Sequence, residues 1–154
     1  MYTYKINIFL FLFSIYSLTS FSQQKVIKTE AQWKEVLSPI EYTILREKGT
    51  ERATTGIYDK HYENGVYKCA GCKTKLFDSK RKYNSYSGWP SFDKPIQNNI
   101  SEITDSSYRM KRVEVVCAIC DGHLGHVFED GPKETTGKRY CINSASLSFK
   151  ARKE

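Results

Sequence analysis

Arg109-Met-Lys-Arg-Val-Glu-Val-Val-Cys117-Ala-Ile-Cys120 reads as a strand that runs into a metal knuckle. Alternation along it places Val113, Val115 and Cys117 on one face and Met110, Arg112, Glu114 and Val116 on the other, the period of a half-buried strand. The Cys-x-x-Cys turn that ends it has a twin at Cys69-Ala-Gly-Cys72. Two such turns supply the four thiolates that a tetrahedral zinc site takes, each bond being ~2.3 Å long. Gly71 and Gly122 are expected to allow the tight backbone of these turns. The knuckles are 44 residues apart, where small zinc ribbons have about 15 to 20, so the metal would tie together two distant parts of the chain. Local disulfides and a thioredoxin-like redox pair are the competing readings. A redox pair belongs at a helix start after a βαβ pattern, and neither knuckle has that setting. A filled four-thiolate shell has no open position, so its expected role is folding stability.

Around the knuckles the chain reads as short strands. Gly65 to Lys68 leads into the first knuckle and Lys75 to Phe77 leads out of it. Further strands are expected at His126 to Phe128 and from Arg139 to Phe149. Towards the N-terminus the period becomes helical. Thr29-Glu-Ala-Gln32 fits a capping box opening a short helix, with Trp33, Val36 and Leu37 as its buried stripe. Ser38-Pro-Ile-Glu41 is a second box with proline at the first helical position, so a helix is predicted to run to about Lys48 and stop at Gly49. Its apolar face would be Ile40, Ile44 and Leu45. The expected organisation is a mainly β domain with a short helical N-terminal cap over 29–150, preceded by a short tether at 23–28 and followed by a basic tail at 151–154.

The N-terminal 22 residues stand apart. Ile6 to Leu18 is an uncharged apolar run behind Lys5, with Ser20-Phe21-Ser22 as a small-residue exit, the arrangement of a secretory signal. A bare helix needs ~20 apolar residues to span hydrocarbon, and this run is shorter. Export to the periplasm or medium is therefore expected, with an uncleaved membrane anchor as the alternative. Without residues 1–22 the chain has 23 basic and 17 acidic side chains. The lysines are scattered and export argues against nucleic acid, so no nucleic-acid partner is expected, and the protein is read as a monomer. An exported chain normally pairs its cysteines, and five is an odd number.

The fifth, Cys141, lies in Arg139-Tyr-Cys-Ile-Asn-Ser-Ala-Ser-Leu147. Alternation puts Arg139, Cys141 and Asn143 on one face, a polar setting in which a thiolate can be stabilised and reached. An isolated cysteine is more often a small buried hydrophobe, but its company here is unusual. His123-Leu-Gly-His126-Val-Phe-Glu-Asp130 holds two of the three histidines of the chain, and either is suited to proton transfer near neutral pH. Trp89, in Gly88-Trp-Pro-Ser-Phe92, is a loop aromatic that packs in a core or walls a pocket for a small apolar group.

These three motifs, in this order and with the paired knuckles, resemble the B-type methionine sulfoxide reductases. The likeness runs from about Trp33 to Phe149 and includes Gly49-Thr-Glu-Arg52. It implies a mainly β fold of two antiparallel sheets, Zn²⁺ on Cys69, Cys72, Cys117 and Cys120, and reduction of the R epimer of methionine sulfoxide in proteins. By the same resemblance Cys141 is the nucleophile, which attacks the sulfoxide sulfur and is left as sulfenic acid. His126 assists proton delivery to the sulfoxide oxygen, and His123, Asp130, Arg139 and Asn143 line or order the site. Trp89 is the ring against which the S-methyl group packs. Two positions depart from the family pattern. Ser87 stands where many members carry a recycling cysteine, so an external thiol or thioredoxin-like dithiol protein is expected to reduce Cys141. Glu51-Arg52-Ala53 replaces Glu-Arg-Pro, which should affect a turn more than the chemistry.

Overall fold

Two capping boxes open the helices. In the computed structural model, which describes residues 24–107 and 110–153, the Thr29 hydroxyl accepts from Gln32 N (3.3 Å) while Gln32 Oε1 accepts from Thr29 N (2.9 Å). Ser38 and Glu41 repeat the exchange. The helices are α1 (Glu30–Val36) and α2 (Pro39–Glu47). The expected secretory signal lies outside the described residues, as does Arg109. Among the described residues no helix is long and apolar enough to cross a membrane.

The helices bury less than their pattern suggested. Trp33, Leu37, Ile44 and Leu45 are buried, but Val36 and Ile40 are 56% and 52% exposed. Val36 ends α1, and the chain then extends so that Leu37 turns inward in its place. Ile40 sits in the first turn of α2 and lines an open cavity with Glu41 and Ile57. The left-handed residue that ends α2 is Lys48 (φ 56°), one position before the expected glycine.

Among the described residues nine strands follow: β1 (Gly65–Cys69), β2 (Lys75–Asp78), β3 (Lys82–Tyr83), β4 (Ser91–Phe92), β5 (Ile100–Asp105), β6 (Arg112–Cys117), β7 (His123–Phe128), β8 (Arg139–Ile142) and β9 (Leu147–Ala151). They form two antiparallel sheets, ordered β2-β1-β9 and β3-β4-β8-β7-β6-β5, as the mainly β reading expected. The strand that was predicted to run from Arg139 to Phe149 is two strands in different sheets. Between them Ser144–Ser146 makes a tight helical turn, and this turn carries the chain from one sheet to the other. The strand predicted from Arg109 begins at Arg112.

The core lies where the sheets and helices meet. Phe77 and Phe92 stack with ring centroids 4.3 Å apart, and the Tyr67 ring stands edge-on to Phe92 at 5.1 Å. All three are fully buried, so truncating any one to alanine should cost roughly 3 to 5 kcal/mol. Each knuckle is the hairpin turn of an antiparallel pair, β1–β2 and β6–β7. The helical cap sits over both turns. Arg46 Nη1 donates to the Cys120 carbonyl at 2.9 Å, and its guanidinium lies 5.1 Å from the centre of the Trp33 ring.

Candidate active site and metal centre

The two knuckles have the same backbone. The N–H of Lys73 donates to the carbonyl of Cys69, and the N–H of Asp121 to that of Cys117, each at 2.9 Å. Lys73 (φ 63°) and Asp121 (φ 56°) then take the left-handed conformation that closes each turn. Gly71 and Gly122 therefore serve another purpose than the expected one. A Cβ on Gly71 would lie 3.3 Å from the Trp33 ring, and one on Gly122 would lie 2.9 Å from Leu45, so these glycines let the helices approach. The four sulfur atoms all lie within 4.8 Å of one another. The Cys69–Cys120 and Cys72–Cys117 pairs are 3.6 and 3.5 Å apart. Bonds of ~2.3 Å to a central ion require tetrahedral edges of about 3.8 Å, so this set of free thiols is spaced to hold one metal ion and is not paired as disulfides.

Cys141 sits in β8 between two neighbours, opposite Ser91 of β4 and His126 of β7. Glu114 of β6 stands opposite His126 in turn, so these side chains share one face of the sheet. In a regular strand His123 and His126, three residues apart, would point to opposite faces. A bulge at Leu124 inserts one extra residue against β6 and brings both imidazoles together, with ring centroids 5.5 Å apart. The bulge is held by the turn after Cys141. The Leu124 carbonyl accepts from the Asn143 backbone N–H (2.8 Å) and from Asn143 Nδ2 (3.0 Å). Gly125 is needed here because a Cβ would lie 2.1 Å from the Cys141 carbonyl oxygen.

A cavity of about 170 Å³ opens onto Cys141 and is lined by Trp89, Arg112, His126, Phe128 and Asn143. Trp89 is fixed by its indole N–H, which donates to the Glu51 carbonyl at 3.1 Å. Asn143 Oδ1 accepts from Glu51 N at 3.1 Å. Burial pushes the Cys141 thiol up, against the opposing influence of the Ser87 hydroxyl and the Arg139 guanidinium. Ser87 Oγ lies 3.8 Å from Cys141 Sγ and belongs to a chain of hydroxyls through Ser85 to Ser91. Arg139 lies above the Phe128 ring and makes two 2.8 Å bonds to Asp130. Asp130 is exposed and outside the cavity lining; it meets the site through Arg139, which holds its carboxyl below the usual range.

Behind His126 a polar cavity of about 490 Å³ is lined by Lys48, Asp105, Arg112, Glu114 and His123. His123 Nδ1 lies 2.8 Å from Glu114 Oε1, and Glu114 Oε2 accepts from Lys48 at 2.8 Å. Burial pushes His123 towards the neutral ring, against the pull of Glu114, and its Nε2 is buried without a partner. His126 Nε2 lies 3.0 Å from Asp105 Oδ2. The sequence reading did not single out Asp105, Arg112, Glu114 or Glu51 as site residues. Strand alternation put Arg112 and Glu114 on one face, but the bulge that carries His123 to that face leaves no sequence signal. Glu51 is the tie between the two halves of the site. Its carboxylate accepts from Ser144 N (2.5 Å) and Ala145 N (3.0 Å), just past the Cys141 strand.

A family model described as the SelR domain matches residues 37–151. The chain is 51% identical over 127 residues to a peptide methionine sulfoxide reductase MsrB of Chromohalobacter salexigens, covering 82% of this chain and 96% of that one. It is 55% identical over 123 residues to the protein of the same name from Thiobacillus denitrificans (79% and 92% covered). With that of Acinetobacter baylyi it shares 56% over 127 residues (82% and 91%). A solved Mis18 "Yippee-like" domain matches all of its own length to 60% of this chain at 16% identity, with a TM-score of 0.48.

Proposed function

The chain belongs to the SelR-domain family of B-type peptide methionine sulfoxide reductases, and from that premise we propose that Cys141 is the nucleophile by which it reduces the R epimer of methionine sulfoxide in proteins. The observation that carries the reading is the meeting of Cys141, His126 and Trp89 around one small cavity. A sulfoxide offers a polar oxygen, a methyl group and an electrophilic sulfur. The cavity offers a proton-carrying imidazole, an indole wall and a thiol, one for each of these groups.

Cys141 starts as a buried thiol that must lose its proton. His126 accepts that proton, and the thiolate attacks the sulfoxide sulfur. The proton passes to the sulfoxide oxygen as the sulfur–oxygen bond breaks, and the oxygen ends on Cys141. The balance is one thiol and one sulfoxide to one sulfenic acid and one thioether. Arg139, held by Asp130, favours the anionic sulfur, and Ser87 donates to it. An external thiol then condenses with the sulfenic acid, releasing water, and a second external thiol frees Cys141. A thioredoxin-like protein suits this step, because all four other cysteines form the metal cluster.

Zn²⁺ is the ion that this donor set fits. Four thiolates near 3.8 Å spacing close its shell, so the ion would hold the knuckles and the helical cap and leave the reaction to Cys141. Export after removal of residues 1–22, and a monomeric state, complete the reading. The test is an epimer assay with dithiothreitol on wild type and Cys141→Ser. The expected result is reduction of R and not S sulfoxide, abolished in Cys141→Ser with its metal retained; activity surviving in the variant would sink the mechanism.

A further inference from the structure

His126 is held from behind by a carboxylate that two other donors, the Ser107 backbone N–H and Arg112, fix in place. Asp105, the last residue of β5, accepts the Ser107 backbone N–H on Oδ1 at 2.9 Å. On Oδ2 it accepts Arg112 Nη2 at 2.8 Å and meets His126 Nε2 at 3.0 Å. The Asp105 carboxyl is held well below the usual range, first by Ser107 and then by His126 and Arg112. An ionised carboxylate only accepts hydrogen bonds, so Nε2 must be the protonated nitrogen of the neutral ring. The basic nitrogen is then Nδ1.

We propose that Asp105 is a positioning residue for the reaction, holding His126 in the tautomer whose Nδ1 lone pair takes the Cys141 proton and later gives it to the sulfoxide oxygen. This deepens the proposed mechanism and rests on His126 being its proton carrier. Asp105 stays ionised throughout and neither gains nor loses a proton. The same logic operates wherever a carboxylate orients a catalytic imidazole from the far side of its ring. The other groups around His126 do not supply this bond. Glu114, directly opposite on β6, is committed to His123 and Lys48. Arg112 is cationic and already bonded to Asp105, and His123 and Cys141 are further neighbours.

The test is Asp105→Asn, alone and combined with His126→Gln, on the metal-loaded enzyme. An amide donates as well as accepts, so the substitution keeps the shape and loses the choice of tautomer. We expect kcat to fall by at least about 10-fold with KM unchanged, and no further fall when the change is added to His126→Gln. Nitrogen-15 spectra of the imidazole should show His126 protonated at Nε2 in wild type and mixed in Asp105→Asn. An unchanged tautomer, a wild-type kcat in Asp105→Asn, or an equal loss in the His126→Gln background would overturn the assignment. A wild-type kcat in His126→Gln alone would instead overturn the proton-carrier reading beneath it.

Discussion

Replacing Glu51 with glutamine should weaken the fold and loosen the pocket together. Glu51 is 9% exposed, and its carboxylate accepts two backbone N–H groups, those of Ser144 and Ala145, at 2.5 and 3.0 Å. Hydrogen bonds to a charged group contribute roughly 1.5 to 3 kcal/mol each, and a buried donor left unsatisfied costs about 1 to 3 kcal/mol. Glutamine keeps one acceptor oxygen and turns an NH₂ towards the other N–H. The expected loss is therefore about 2 to 4 kcal/mol, which for a domain of this size lowers Tm by roughly 10 °C. Because the Glu51 carbonyl anchors the Trp89 indole and its N–H meets Asn143, KM for a peptide sulfoxide should rise as well. Urea unfolding of the metal-loaded protein, followed by two probes, measures the first effect, and steady-state kinetics the second. A stability change under ~0.5 kcal/mol, the range of ordinary surface substitutions, together with an unchanged kcat/KM would refute the reasoning. It would mean that Ser144 and Ala145 find water in the neighbouring cavity.

Three further outcomes follow from named contacts. Cys120→Ser, or chelation of the metal, should lower Tm sharply while Cys141 remains chemically able to react, since the cluster joins the β1–β2 and β6–β7 turns under the helical cap; metal content and thermal melts check this. Ser87→Cys places a second sulfur next to Cys141, where Ser87 Oγ now lies at 3.8 Å, and should convert the oxidised product to an intrachain disulfide with release of water, seen as a loss of two hydrogens from the reduced chain that a reductant reverses. The Glu114 carboxyl is opposed by burial but more than offset by its bonds to Lys48 and His123, and so sits below its ordinary 4.5. A lowered folded value stabilises above the unfolded value and is lost as pH falls through the folded one. Wild type should exceed Glu114→Gln in stability at neutral pH, and in acid titrations the gap should close below about pH 4.5.

Local chemistry made some of this molecule legible. The capping boxes at Thr29 and Ser38 and the knuckle cysteines are short-range patterns, and each stands in the structure where the residues suggested; β6 was expected to be half-buried, but Glu114 and Val116 on its second face are buried along with Val115 and Cys117. The two-residue strands β3 and β4 are too short to show a period, so β4, which flanks Cys141, was invisible. Arg139 to Phe149 looked like one strand because its alternation survives the turn at Ser144–Ser146, which depends on bonds to Glu51 from 93 residues away. The turn-closing residues Lys73 and Asp121 adopt left-handed backbone without being glycine, held by the hydrogen bonds of each knuckle. At the proposed site, the motifs supplied Cys141, His126 and Trp89. The groups behind them, Asp105 and Glu51, come from sheet register and a long loop contact, and neither lies in the motif it supports.

The most direct test of the account is mass spectrometry of the enzyme after a single turnover with a peptide R-sulfoxide and no external thiol. The account predicts a chain carrying one added oxygen, located on Cys141 by a sulfenic-acid trap, with Cys69, Cys72, Cys117 and Cys120 still reduced and metal-bound. A disulfide between Cys141 and any of those four, or an oxidised chain with Cys141 unmodified, would contradict it.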